Sequence, residues 1–316
     1  MLVLRALGLG DLLTGVPAMR ALARALPDHD VTLAAPLALE PLVRLAGVAH
    51  RLLPTSGLEP PAWTGRPPEL AVDLHGRGPQ SHRLLDDLGP GRLVAFDCPE
   101  AAHAGPPWDD DEHEVRRWQR LVRTELGAEP AADDLLLDVP AETPAVRGAV
   151  VLHPGAAYPS RRWPADRFAE VARGAAATGR PVVGTGGATE AALAQQVADL
   201  AALPDGSVLA GRTGLATLAA LVAAADLVVC GDTGVAHLAS AYRTPSVVLF
   251  GPVAPSRWGP PADGPHTVLW KGEGSGDPWG DDVDPALLAL AAGEVIAAAE
   301  VRLAAPVARR TTPASA

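Results

Sequence analysis

The chain has 316 residues, of which 48% are hydrophobic and 20% charged, and a formal net charge of −11. That balance fits a globular protein of two ordinary domains or one large one, and it excludes a disordered chain. The acidic excess argues against nucleic acid as a partner, although net charge leaves room for one basic pocket.

In chain order, residues 2–6 read as an apolar strand and 12–26 as a helix that stops before Pro27. A second strand follows at 31–35, a short helix at 41–45, a strand at 70–74, a helix at 81–88 and a strand at 93–96. Residues 111–126 read as a helix whose first turn is acidic, which suits the positive end of its dipole. Residues 127–147 are rich in Ala, Asp, Glu and Pro and mark a domain boundary. Beyond it, strands are expected at 150–153, 181–184, 208–210, 227–230 and 246–250, the last closing the sheet. Helices are expected between them at 165–178, 190–202, 215–225 and 235–241, with a final one over 285–300. Such alternation predicts an α/β protein of two doubly wound parallel sheets, residues 1–147 and 148–303, facing each other across a cleft. The last helix is a candidate to pack back on the N-terminal domain, and 304–316 read as a disordered tail.

Aromatic residues make up only 4% of the chain, so aliphatic residues and alanine must fill the core, and Lys271 is the single lysine. With 32 Gly and 32 Pro, that composition fits a GC-rich coding sequence. Cys98 and Cys230 are the only cysteines, and no CxxC or CxxH spacing surrounds them, so two reduced thiols are expected rather than a disulfide or zinc scaffold. Asp11 and Arg20 interrupt the apolar N-terminal stretch, unlike a secretory leader. The apolar run 215–225 is too short to span a bilayer. A cytoplasmic protein is expected, with at most peripheral contact at the inner face of the membrane.

Four strand-to-helix junctions carry chemistry. The first, Gly8-Leu9-Gly10-Asp11, half-matches a dinucleotide fingerprint, but Leu13 replaces its third glycine and no acid ends the second strand. Asp11 would repel a pyrophosphate there, so it reads either as a general base or, more simply, as the cap of a helix starting at Leu12. In the second, His153-Pro154-Gly155 is followed by Ser160-Arg161-Arg162-Trp163-Pro164, where two arginines at a helix entrance suit a diphosphate. Their bland alternative is a solvated pair beside a Trp–Pro helix start. The third, residues 184–190, is a glycine turn ending in Glu190, a group suited to ribose hydroxyls or to a first helical turn. The fourth, Gly231-Asp232-Thr233-Gly234-Val235 with His237 one turn on, offers backbone amides to an anion but sets a carboxylate among them. The acidic run 109–114 with His113 is better read as a helix N-terminus than as a metal site. His75, Gly76 and Arg77 follow the strand at 70–74 and are candidates for acceptor contact or an ordinary turn.

Taken together, the GxGD loop, the RRWP box, the glycine turn with Glu190, and the long run from AGRTGLATLAALVAAADLVVCGDTGVAHLASA to VVLFGPVAPSRWGP resemble glycosyltransferase family 9, the heptosyltransferase-type enzymes. The resemblance implies a GT-B fold and an inverting, metal-independent transfer of a sugar from a nucleotide-diphosphate donor, with ADP-heptose as the family precedent, to a glycan or glycolipid hydroxyl. It implies Asp11 as the base, beside Gly10, His75 and Arg77 on the acceptor side. Arg161 and the amides of Thr233, Gly234 and Val235 would hold the diphosphate, while Asp232, His237, Glu190, Thr213 and Gly214 would meet the donor sugar and nucleoside. No cofactor and no metal are expected beyond the donor itself, and the protein is expected to be a monomer. The competing readings are a nucleotide-sugar epimerase or hydrolase on the same fold, a non-catalytic sugar-nucleotide-binding protein, and, more weakly, a dehydrogenase.

Overall fold

The structure, a computed structural model, describes residues 1–131, 134–274 and 276–305. The expected tail therefore lies outside the described residues, apart from its first two. The chain forms two compact units that meet at Asp138 and Val139, within the stretch where composition marked a boundary.

In the first unit, strands β1 (Leu2–Leu4), β2 (Thr32–Ala35), β3 (Arg51–Pro54), β4 (Leu70–Asp73) and β5 (Arg92–Val94) form one parallel sheet in the order β3-β2-β1-β4-β5. Strands β1, β2 and β4 are buried along their whole length, as apolar runs covered on both faces should be. β3 was not anticipated: it is a half-exposed edge strand, Arg-Leu-Leu-Pro, with neither an apolar run nor clean alternation. Helices α1 (Leu9–Ala25), α2 (Glu40–Ala46), α3 (Gln80–Asp86) and α4 (Glu114–Leu126) connect or cover the strands. α1 begins three residues before the expected start, capped by Gly8, which puts Asp11 inside the first turn and not at the cap. α4 likewise starts at Glu114, not 111, because the His113 ring accepts the Val115 N–H at 3.3 Å and serves as its cap. It packs its Trp118, Leu121 and Val122 face beside α1.

The second unit holds β6 (Val150–His153), β7 (Val182–Gly184), β8 (Leu227–Gly231), β9 (Ser246–Leu249) and β10 (His266–Leu269), all parallel, in the order β10-β9-β8-β6-β7. β9 does not close the sheet; the partly exposed β10 adds beyond it. The strand expected at 208–210 is a single bridge between Gly184 and Val208. The helices are α5 (Ala165–Ala177), α6 (Ala191–Ala201), α7 (Leu215–Ala224), α8 (Gly234–Tyr242), α9 (Pro255–Trp258), α10 (Pro285–Leu288) and α11 (Ala292–Ala304). The helix expected over 285–300 is thus two helices, and α11 packs on α5 and along β8, β9 and β10 of this unit. Trp163 anchors the core: it is buried, stacks edge-on to Phe168 at 5.1 Å and donates its indole N–H to the Leu290 carbonyl at 3.2 Å. Among the described residues, no helix is long and apolar enough to cross a membrane.

Candidate functional site

Each sheet reverses its winding once. In the first unit the chain steps from β1 out to β3 and returns on the other side of β1 as β4; in the second it steps from β6 to β7 and returns beside β6 as β8. Loops leaving the two strands at such a reversal diverge, and the crevice beyond their carboxyl ends is where doubly wound sheets bind ligands. The junctions singled out from sequence leave β1 and β4 in one unit and β6 and β8, with neighbouring β7 and β9, in the other.

At the second reversal, His153 pairs in register with Cys230, so the segments that follow them run side by side. This brings Arg161 to Asp232: the guanidinium donates to the Asp232 carbonyl and lies 3.3 Å from its carboxylate. The RRWP arginines are therefore not a merely solvated pair. Arg162 turns back to the Ala156 carbonyl at 2.9 Å, and Pro164, expected to start the helix, stands at the cap position of α5. Gly231 lies where a Cβ would meet the Arg161 carbonyl at 3.3 Å, so this glycine serves close approach of the two segments. Thr233 caps α8, so the amides of Gly234 and Val235 open that helix, and His237 sits edge-on to Trp258 at 5.8 Å. Burial, then the nearby Asp232 charge, pushes the Cys230 thiol up to about 12, which rules it out as a nucleophile at neutral pH.

Beside it, Glu190 ends a short turn and accepts the Gly187 N–H at 2.7 Å. A Cβ on Gly155 would lie 2.2 Å from its carboxylate, so the HPG glycine makes room for Glu190. His153, buried below, bonds the Thr185 hydroxyl at 3.1 Å; burial holds its pKa down, against the pull of Glu190. Gly211 donates to the Gly186 carbonyl at 2.9 Å, which brings Thr213 and Gly214, the cap of α7, to the same turn. The loop after β10 is also tied in. Ser160 donates its N–H to the Gly280 carbonyl at 3.1 Å, and the Asp284 N–H donates to the Ser160 carbonyl at 3.1 Å.

The first reversal is built from charged side chains. Asp11 accepts the Gly8 N–H at 3.2 Å on one carboxylate oxygen, and its side chain is 31% exposed. Gly10 is the second residue of the helix. After β4, the Asp73 carboxylate accepts the His75 N–H at 2.8 Å and meets His82 Nδ1 at 2.9 Å, while His82 Nε2 bonds the Phe96 carbonyl at 2.9 Å. Burial lowers the His82 pKa, but the hydrogen bond and charge of Asp73 outweigh it and the net shift is upward. His75 shifts the other way: burial lowers it, Arg5 adds to that, and Asp73 and Asp11 only partly oppose. Arg77 reaches outward to Asp110 at 3.9 Å, both side chains well exposed.

Sequence reasoning missed Arg5 and His82. Arg5 is wholly buried, and three acids of the 109–114 run have cationic or local partners: Glu114 with Arg5 and Arg117, Glu112 with Arg120, Asp110 with the Trp108 indole. Among the described residues, no group of three or more His, Cys, Asp or Glu side chains is arranged to hold a metal ion. Both cysteines are free and buried.

The two parallel Rossmann-like sheets match the GT-B fold: a solved structure of E. coli ADP-heptose LPS heptosyltransferase II superimposes with a TM-score of 0.76 over 96% of this chain and 98% of that one, at 20% identity. The family model for glycosyltransferase family 9 (heptosyltransferase) matches residues 106–275, and the chain belongs to that family. A lipooligosaccharide heptosyltransferase 2 of Haemophilus influenzae is 32% identical over 127 residues, 38% of this chain and 36% of that protein. A lipopolysaccharide heptosyltransferase 2 of Escherichia coli K12 is 36% identical over 108 residues, 32% of this chain and 30% of that protein. The aligned stretches thus span about a third of these curated relatives.

Proposed function

We propose that the protein is an inverting, metal-independent glycosyltransferase that moves a heptose or similar sugar from a nucleotide-diphosphate donor to a hydroxyl of a glycan or glycolipid. The observation that carries this reading is the convergence of Arg161, Asp232 and the start of α8 at the strand reversal of the second sheet.

The donor diphosphate is assigned to Arg161 and the amides of Thr233, Gly234 and Val235. A guanidinium and a helix N-terminus are fixed positive groups placed where negative charge grows as the nucleoside diphosphate leaves. They can supply that stabilisation without a divalent cation. Asp232, which already faces Arg161, is assigned to hydroxyls of the transferred sugar, with His237 one turn along the helix. Glu190 is assigned to the ribose and Thr213 and Gly214 to the nucleoside. On the acceptor side Asp11 takes the hydroxyl proton as general base, with Gly10, His75 and Arg77 as acceptor contacts. A single displacement in line with the leaving diphosphate inverts the anomeric centre. The family match and the ADP-heptose named for the structural relative favour ADP-heptose as donor.

The test is a thermal-shift panel of nucleotide sugars. A true donor stabilises the folded protein by about 2.7 kcal/mol at a hundredfold excess over its Kd. ADP-heptose is expected to give the largest shift, undiminished by EDTA. A panel without any shift, or a shift that EDTA abolishes, contradicts the reading.

A further inference from the structure

Arg5 bonds to both turns at the first strand reversal. It follows β1, has no exposed surface, and directs each of its three nitrogens differently. Nε donates to the Asp11 carbonyl at 2.8 Å. One terminal nitrogen donates to the carbonyl of Leu74, the residue before His75. The other donates to the Thr14 hydroxyl at 3.0 Å and to Glu114 at 3.1 Å. One guanidinium thus ties the turn that carries Asp11 to the turn after β4, across the two strands where the winding reverses.

The distances to the two carboxylates decide what this does. The nearest Asp11 carboxylate oxygen lies 3.9 Å from Arg5, while Glu114 lies at 3.1 Å. Glu114 is buried and saturated: besides Arg5 it accepts the Trp118 indole N–H at 2.8 Å and a charged hydrogen bond from Arg117. Burial raises its pKa, but the charges of Arg5 and Arg117 and these bonds outweigh that, so Glu114 is held as a carboxylate. The ring of Trp118 lies 4.7 Å from the Arg5 guanidinium carbon and completes the pocket. A carboxylate gripped closely by a guanidinium is a poor proton acceptor, because the pair favours its charged form. Here that grip falls on Glu114, and Arg5 touches Asp11 chiefly through the backbone.

We propose that Arg5 is a positioning residue for Asp11, and that Glu114 acts as its counter-ion so that the Asp11 carboxylate stays available. The proposal rests on the assignment of Asp11 as the base. It makes Glu114, 103 positions from Asp11 in the chain, part of the machinery of the acceptor side without contact to substrate.

Three variants test it: Glu114→Gln, Arg5→Met and Arg5→Lys. Turnover is read as ADP released from ADP-heptose with a heptose-free lipooligosaccharide as acceptor. Glu114→Gln is expected to lower kcat about tenfold, the scale of a small misplacement of a reacting group, with the donor KM unchanged and no further loss in an Asp11→Asn background. Arg5→Lys, which keeps the charge but not the fork, is expected to retain more activity than Arg5→Met. Hydrogen–deuterium exchange gives a readout independent of turnover. Arg5→Met is expected to raise exchange in residues 8–14 and 74–77 together and to leave the second unit as it was. Unchanged exchange in both segments, or a Glu114→Gln loss that adds fully to Asp11→Asn, overturns the proposal. An Asp11→Asn protein with full turnover instead removes the base assignment, and the exchange data still report whether Arg5 ties the two turns.

Discussion

The two units solve the same geometric problem with different materials. Each is a five-stranded parallel sheet whose winding reverses once, and each sets its notable residues at the carboxyl ends of the strands flanking that reversal. The second unit fills the place with backbone: Gly155, Gly186 and Gly231 allow close approach, and Arg161 and Asp232 add one ion pair. The first fills it with buried charge, Glu114 against Arg5 and Arg117, and Asp73 against His82. Open amides beside a cation suit a polyanion that binds and leaves. A saturated, buried ionic network suits holding one carboxylate in place. The contrast parallels the division of labour assigned to a donor half and an acceptor half.

The largest effect that sharpens this contrast is on Asp11. Asp11→Asn keeps the size of the side chain and removes its basicity, so transfer is expected to fall about 10²–10⁴-fold, the usual worth of a general base, as measured by ADP release from ADP-heptose. Next comes Arg161→Ala. A hydrogen bond to a charged group contributes about 1.5–3 kcal/mol, so ADP binding by calorimetry should weaken roughly 10- to 100-fold. Unaltered affinity would remove Arg161 from the diphosphate. The smallest effect concerns stability. The His82 pKa is raised in the folded state, so the stability it contributes is fully present below about 6.5 and is lost as pH rises through the folded value. The gap in Tm between the wild type and His82→Gln should therefore be wider near pH 5.5 than near pH 8.5. A gap that widens toward alkaline pH would contradict the Asp73–His82 assignment.

The same contrast explains what was legible in the sequence. β6 and β8 announced themselves as apolar runs followed by glycine turns, and each turn residue lies within a dozen positions of its strand. A reader of the chain can see His153-Pro154-Gly155 or Asp232-Thr233-Gly234 as a unit, because their function is local backbone geometry. The first reversal offers no such unit. Arg5 looks like one charged residue in a hydrophobic N-terminus, and its partners Leu74 and Glu114 stand 69 and 109 positions away. Asp11 was found, but as either a base or a cap, and its place inside the first turn depended on Gly8 taking the cap. Edge strands β3 and β10 escaped for another reason. Half-exposed strands need neither an apolar run nor strict alternation, and Arg51–Pro54 and His266–Leu269 have neither.

The central claim is that donor binding and proton removal belong to different units. Titrating ADP-heptose calorimetrically into Asp11→Asn and Arg161→Ala, beside the wild type, tests it most directly. The account predicts a Kd for Asp11→Asn within about twofold of wild type and a Kd for Arg161→Ala raised at least about tenfold. A loss of donor affinity in Asp11→Asn as large as that in Arg161→Ala would contradict it.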